Sequence, residues 1–317
     1  LLREAVYESI DAGRRRPPHL ALAQSLEALP PRGADEAVGE IGLHYAAADI
    51  RDKAVDYLCR ASDHDRAVHA NETAAEHLAR AREVLRRDAD HRARELEVVR
   101  SLADVRARLG DLARAEALYQ DALEVAAALG EPAECVALLL ARLAETQGLQ
   151  LRHADAIATA RRGLLLLGDT LDSPAGVLLL SALSTNLLRD GEWPAAVAAR
   201  SQLAHAVKGV GYFEGLSEAY FRLGDIAMAA IPDGVGEAMR WYARLEEMSR
   251  EHNDDVGLAR ACFAMGSLLA NNLDDPAQGL AMHLKCVATA AHIGHARLLF
   301  EGHMQAASRC TPCSVTT

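Results

Sequence analysis

A chain of 317 residues, half of them apolar, can bury a large core, but with only 4% aromatic residues that core must be built from Ala and Leu. Such residues suit closely packed helices better than a β-sandwich, and with Arg and Glu they are strong helix formers. A net charge of -11 spread evenly along the chain argues against nucleic-acid binding, which needs clustered Lys and Arg, and no run reaches the roughly 18 apolar residues of a membrane-spanning helix.

In chain order, residues 1–30 are predicted to form a helical linker. The sequence starts inside a helical pattern, without a start Met or a charged-then-apolar leader, so a piece of a longer protein is expected. Helix pairs follow over 31–309. The first sets Gly42 in EIGLHYAAA before Ala54, Leu58 and Ala61 in KAVDYLCRAS. A copy of the second-helix pattern at Ala74, Leu78 and Ala81 stands outside the series. Next come Ala103 with Ala115, Tyr119 and Ala122, then Ala144 with Ala156, Ala160 and Gly163. Ser184 precedes Ala196, Arg200 and Leu203; Gly224 precedes Ala238, Tyr242 and Leu245; Gly266 precedes Gly279, His283 and Cys286. A last helix is predicted over 295–308, and 310–317 read as a disordered tail.

The leading small residues of the second helices from Ala115 onward are 41, 40, 42 and 41 positions apart. A steady period of that size marks a repeat array. Two antiparallel helices approach closely where a small side chain sits at the crossing, so each of Gly42, Ala103, Ala144, Ser184, Gly224 and Gly266 is expected to touch the small residue heading the helix that follows. Leu109-Gly110-Asp111, Asp190-Gly191-Glu192, Ile231-Pro232-Asp233-Gly234 and Asp274-Asp275-Pro276 supply the turns. A pair cannot bury its apolar face alone, so pairs stack. The predicted fold is all-α, a right-handed superhelical solenoid of antiparallel helix pairs.

These residues resemble the tetratricopeptide family, whose first helix carries Leu-Gly/Ala then Tyr and whose second carries Ala, an aromatic, then Ala. Ile41-Gly42, Tyr45, Ala54, Leu58 and Ala61 follow that pattern closely, with Leu58 in place of the aromatic; Leu102-Ala103 through Ala122 follow it with Arg106 in place of the aromatic. The middle pairs depart further, and the period exceeds the family's 34 residues. A narrower resemblance covers roughly the first ninety residues. Leu2 to Ile10, Arg14-Arg15-Arg16, His19, Ala23 and Leu26-Glu27, followed by His44-Tyr45-Ala46-Ala47-Ala48 and Lys53 to Leu58, look like the junction between the ATPase module and the repeat arm of LuxR-type large ATP-binding transcriptional regulators. That resemblance implies a sensor or interaction arm in which 1–30 closes the winged-helix part of the ATPase. It places ATP hydrolysis and DNA binding in flanking modules, since neither a Walker A motif nor a recognition helix stands in this sequence.

In the tetratricopeptide-like architecture the first helix of each pair lines a concave groove. Positions three before and one after the crossing residue, and one turn beyond, face it: Arg100, Asp104 and Arg108; Ser181, Thr185 and Arg189; Phe221 and Asp225; Phe263, Ser267 and Asn271. Two of only four Phe fall at equivalent positions in successive pairs, which suits a protein or peptide partner or a small-molecule inducer.

Chemical motifs are few. His44, His64, His69, His77 and His91 are spread among acidic residues and read as solvated faces. His292 and His295 share a face with no third ligand at metal spacing, and Cys310-Thr-Pro-Cys313 has zinc-knuckle spacing but no second pair. Gly209-Val210-Gly211 and Gly234-Val235-Gly236 follow no strand and read as turns. The sequence therefore predicts a non-catalytic binding protein with no cofactor and no metal, contacting neither membrane nor nucleic acid. The scattered cysteines suggest reduced thiols and a cytoplasmic location. A free-standing scaffold for protein partners is the alternative to the regulator arm.

Overall fold

The computed structural model describes residues 11–30, 37–68, 70–86, 91–232 and 234–310. The segment Leu2 to Ile10 of the junction motif, His69 and the pair Cys310 to Cys313 fall outside these residues wholly or in their side chains. The described residues form helices and turns without strands. They divide into two compact units, Leu1–Pro132 and Ala133–Thr317.

The first unit holds α1 (Ala12–Glu27), α2 (Val38–Ala47), α3 (Arg51–Ala67), α4 (Asn71–Leu85), α5 (Arg92–Arg108) and α6 (Leu112–Leu129). The predicted pairs are α2/α3 and α5/α6. The pattern at Ala74, Leu78 and Ala81 belongs to α4, an additional helix that packs on both α3 and α5. Asp56 of α3 pairs with Arg94 of α5, and Asp52 lies 3.1 Å from His91. At the start of the unit α1 lies on α2, held by Glu27. Its carboxylate accepts from Tyr45 Oη, from Tyr57 Oη at 2.8 Å and from Lys53 Nζ at 2.8 and 3.0 Å. The hydrogen bonds from Lys53, Tyr45 and Tyr57 hold this carboxyl at about 2, well below its usual range. Near the opposite end of α1, Arg16 reaches Asp49 at 2.9 Å and the His19 and His44 Nδ1 atoms are 2.9 Å apart.

The second unit holds α7 (Ala133–Leu149), α8 (His153–Leu167), α9 (Pro174–Arg189), α10 (Trp193–Ala206), α11 (Leu216–Ala230), α12 (Gly234–Glu251), α13 (Asp255–Asn271), α14 (Pro276–His292) and α15 (Ala296–Cys310). Helix starts are set by capping chemistry: the Ser173, Asp254 and Asp275 side chains accept from the backbone N–H groups of Gly176, Gly257 and Gln278. Within the pairs α5/α6 and α9/α10 the chain turns through a left-handed glycine, Gly110 (φ +78°) and Gly191 (φ +86°). The equivalent turn residue between α7 and α8 is Leu151, at φ +64° with its side chain 73% exposed.

At the three first-helix glycines that mark crossings, a bulky residue of the following helix fills the space. The nearest groups to the first-helix glycines are the bulky residues four positions after the small one. A β-carbon on Gly42 would stand 2.9 Å from Leu58 Cγ, one on Gly224 2.2 Å from the Tyr242 ring, and one on Gly266 2.8 Å from the His283 ring. At Gly266 the small partner stands among the nearest atoms too, through the Gly279 carbonyl at 3.0 Å. The glycine is a notch and the bulky residue is its knob, because the space that a missing side chain leaves is best filled by a large one. Between α8 and α9 the geometry reverses: Gly163 on the second helix receives Leu179 of the next first helix, 2.6 Å from a would-be β-carbon. Arg200 takes the knob position of α10, buried at 4% exposure, and donates through Nε to the Leu223 carbonyl at 3.0 Å and through Nη2 to Glu237.

Candidate functional site

Within the second unit, α7 packs on α9, α9 on α11, α11 on α13 and α13 on α15, while the second helices α8, α10, α12 and α14 make no comparable contact with one another. First helices thus form the closely spaced face and second helices the spread one. Closely spaced helices on one side and spread helices on the other make a concave inner face on the first-helix side.

The site residues predicted from the sequence lie on α5 of the first unit and on α9, α11 and α13 of the second, and they meet different fates. Ser181 is buried at 6% exposure, so it offers no surface to a partner. Asp104, Asp225 and Ser267 share a register position and are each engaged from inside their own pair. Tyr119 Oη donates to Asp104 at 2.6 Å, Tyr242 Oη donates to Asp225 at 2.9 Å, and Ser267 Oγ lies 3.3 Å from His283 Nε2. The knob that fills a notch carries a polar tip, and the residue beside the notch receives it. Phe221 and Phe263 are half-buried: Phe221 leans on the Tyr242 ring at 5.9 Å, and Phe263 on the His283 ring at 5.8 Å. Arg100, Arg108, Arg189 and Asn271 are exposed. Thr185 is half-buried, and its Oγ1 is shielded and makes no hydrogen bond.

A polar assembly spans the inner face, and of its members only Asp225 was among the sequence candidates. Arg222 Nη2 contacts Glu218 Oε1 at 2.7 Å and Nη1 reaches Asp225 at 3.3 Å, while its guanidinium lies 5.5 Å from the Phe221 ring centroid. Arg260 of α13 also pairs with Glu218. From α7, Arg142 is joined to Glu145 at 3.2 Å and comes within 3.8 Å of where a β-carbon on Gly215 would stand. Arg142 therefore reaches across α9, which presents Leu178 and Ala182 at the equivalent positions and leaves room for it.

The electrostatics follow from this crowding. Burial pushes the Glu218 carboxyl up, but Arg222 and Arg260 together with Arg142 outweigh it and hold the group below its usual range. At Asp225 burial wins over Arg222 and Tyr242, and the carboxyl is raised. Burial works against the Arg222 cation, yet Glu218, Asp225 and Glu145 raise its pKa further. The only register signal in the sequence is that Leu138, Leu178, Glu218 and Arg260 stand six residues before their crossing residues, a ladder that turns from apolar to charged.

Burial pushes the thiols of Cys59 and Cys262 up to about 11 and that of Cys286 to about 12, which removes thiolate character near neutral pH. Among the described residues no group of three or more His, Cys, Asp or Glu is placed to hold a metal ion, and no helix is long and apolar enough to cross a membrane.

No family model matches the sequence, and no curated protein sequence matches it. Its fold does match solved structures. Aspartyl phosphate phosphatase F from Bacillus subtilis is 15% identical over 90% of this chain and 70% of its own, with a TM-score of 0.58. BtubC (BKLC) from P. vanneervenii is 17% identical over 73% of this chain and 92% of its own, with a TM-score of 0.50. At such identity the likeness is one of fold, and the fold shared is a tetratricopeptide-like array of helix pairs.

Proposed function

We propose that this chain is a non-catalytic binding arm whose inner first-helix face, in the second unit, takes a protein or peptide partner. The observation that carries this reading is the Arg142, Glu145, Glu218, Arg222, Asp225 and Arg260 assembly on that face. It spans three first helices and lies beside half-buried Phe221. Charged groups arranged over a concave surface with an aromatic neighbour provide orientation and affinity together. A likeness of fold to other tetratricopeptide-like arrays supports an interaction role without naming the partner.

The finer reading is the repeat arm of a LuxR-type ATP-dependent transcriptional regulator. Its support is the resemblance over the first ninety residues and the way that segment is knit. Glu27 of the junction helix meets Tyr45, Lys53 and Tyr57, three residues of the very motif that carries the resemblance. Partner binding on the arm would then restrain or release the ATPase by favouring one arrangement of the stack over another. The reading frame ahead of Leu1 tests this directly: a Walker A motif there is the expected outcome. In that full-length protein, replacing Arg222 and Arg260 with Ala should change ATP turnover while helicity stays constant. A frame without a Walker A motif supports the free-standing scaffold instead.

A further inference from the structure

Away from the inner face, α10 packs only lightly on α11, although the equivalent second helices α8, α12 and α14 pack firmly on the first helices that follow them. The connection here, residues 207–215, is the longest in the second unit. It borders a half-open cavity of about 460 Å³, within the size range of small-molecule sites. The protein has only two Trp and seven Tyr, and Trp241, Tyr212 and Tyr220 all line this one space. Tyr220 and Trp241 sit with centroids 5.8 Å apart above buried Met248, and Tyr212, 43% exposed, stacks on the His252 ring at 4.1 Å.

We propose that this cavity binds a small zwitterion with a flat apolar body, in chemical class an aromatic amino acid. The aromatic walls and the Met248 floor suit the flat body. The lining also contains Lys208 and Glu251, both exposed, opposite in charge, and without an ion pair among the described residues. The third charge there, Arg244, is already engaged by Glu247 at 2.5 Å. Lys208 is therefore left for a ligand carboxylate and Glu251 for a ligand ammonium, which favours a ligand carrying both over a simple anion or cation. This site is independent of the inner face, since α12 and the 207–215 connection supply most of its lining.

The experiment uses Trp193→Phe in the full chain, which leaves Trp241 as the sole tryptophan, and follows its emission on titration with L-phenylalanine, benzoate and benzylamine. Saturable binding of L-phenylalanine is expected, with each singly charged probe roughly tenfold weaker, about the effect of one lost charged contact. Lys208→Ala should erase the advantage of L-phenylalanine over benzylamine, and Glu251→Ala its advantage over benzoate. The proposal is overturned if about 10 mM L-phenylalanine leaves the emission unchanged, if either singly charged probe binds as well as the zwitterion, or if both variants bind like the parent. Each of these results leaves the inner-face reading untouched, because neither variant nor probe involves Arg142, Arg222 or Arg260.

Discussion

The pairs α11/α12 and α7/α8 do the same architectural job with the knob pointing in opposite directions. In α11/α12 the second helix drives Tyr242 into the notch at Gly224 and its hydroxyl reaches Asp225, so the pair is locked within itself. In α7/α8 the second helix offers Ala160 at the knob position and is itself notched at Gly163, which receives Leu179 from α9. That lock holds one pair to the next. A repeat array can thus set its notch-and-knob locks either inside a pair or between pairs, and this chain does both within one stack.

The largest effect expected from breaking this contrast is at Tyr242. Tyr242→Ala empties the notch and leaves Asp225 without its hydroxyl partner, and should cost about 3–5 kcal/mol in urea unfolding. Small-to-large changes at the two glycines come next and should differ. Gly224→Ala sets a β-carbon against a rigid ring held by its own hydrogen bond, at a cost of about 2 kcal/mol. Gly163→Ala meets only the flexible tips of Leu179 and should cost about 1 kcal/mol or less once helix propensity is counted. Equal losses at the two sites would remove the distinction between the locks.

A pH measurement extends the contrast to the first unit, whose α1 is locked by charge instead of shape. The folded pKa of Glu27, about 2, lies below its usual 4.5. The clamp therefore contributes fully above about 4.5 and is lost as the pH falls toward 2. Glu27→Gln should flatten the acid limb of the stability profile in that window, and an unchanged limb would exclude the clamp as its source. The smallest effect should be a gain. Leu151→Gly relieves a left-handed leucine that buries little surface, and should raise stability by up to about 1 kcal/mol, read as a shift of the urea midpoint.

Much of the fold is legible in the sequence because small residues at a period near 41 can only be satisfied by close helix crossings. Gly110, Gly191, Pro174 and Pro276 mark turns and helix starts by backbone constraints that act locally. The same pattern is silent on what fills each notch, since Leu58, Tyr242 and His283 differ in every property but size. Pattern alone also treats Asp104, Asp225 and Ser267 as groove-facing polar residues. Their use inside the pair depends on a knob 15 to 17 positions away having a polar tip within reach. The bridging reach of Arg142 toward the start of α11 is harder still, because it depends on α9 being small at the point crossed. α4 shows a further limit: a copy of the second-helix pattern at Ala74 says that a helix is present, not that it has a first-helix partner of its own.

The buried thiols offer a clock. Cys262 and Cys286 are fully covered on neighbouring helices of a pair, and their high pKa makes them slow to react even when reached. Alkylation of either near neutral pH must await an excursion that uncovers α13 and α14. The labelling rate would then report how often the stack frays at that end, with no probe added to the protein.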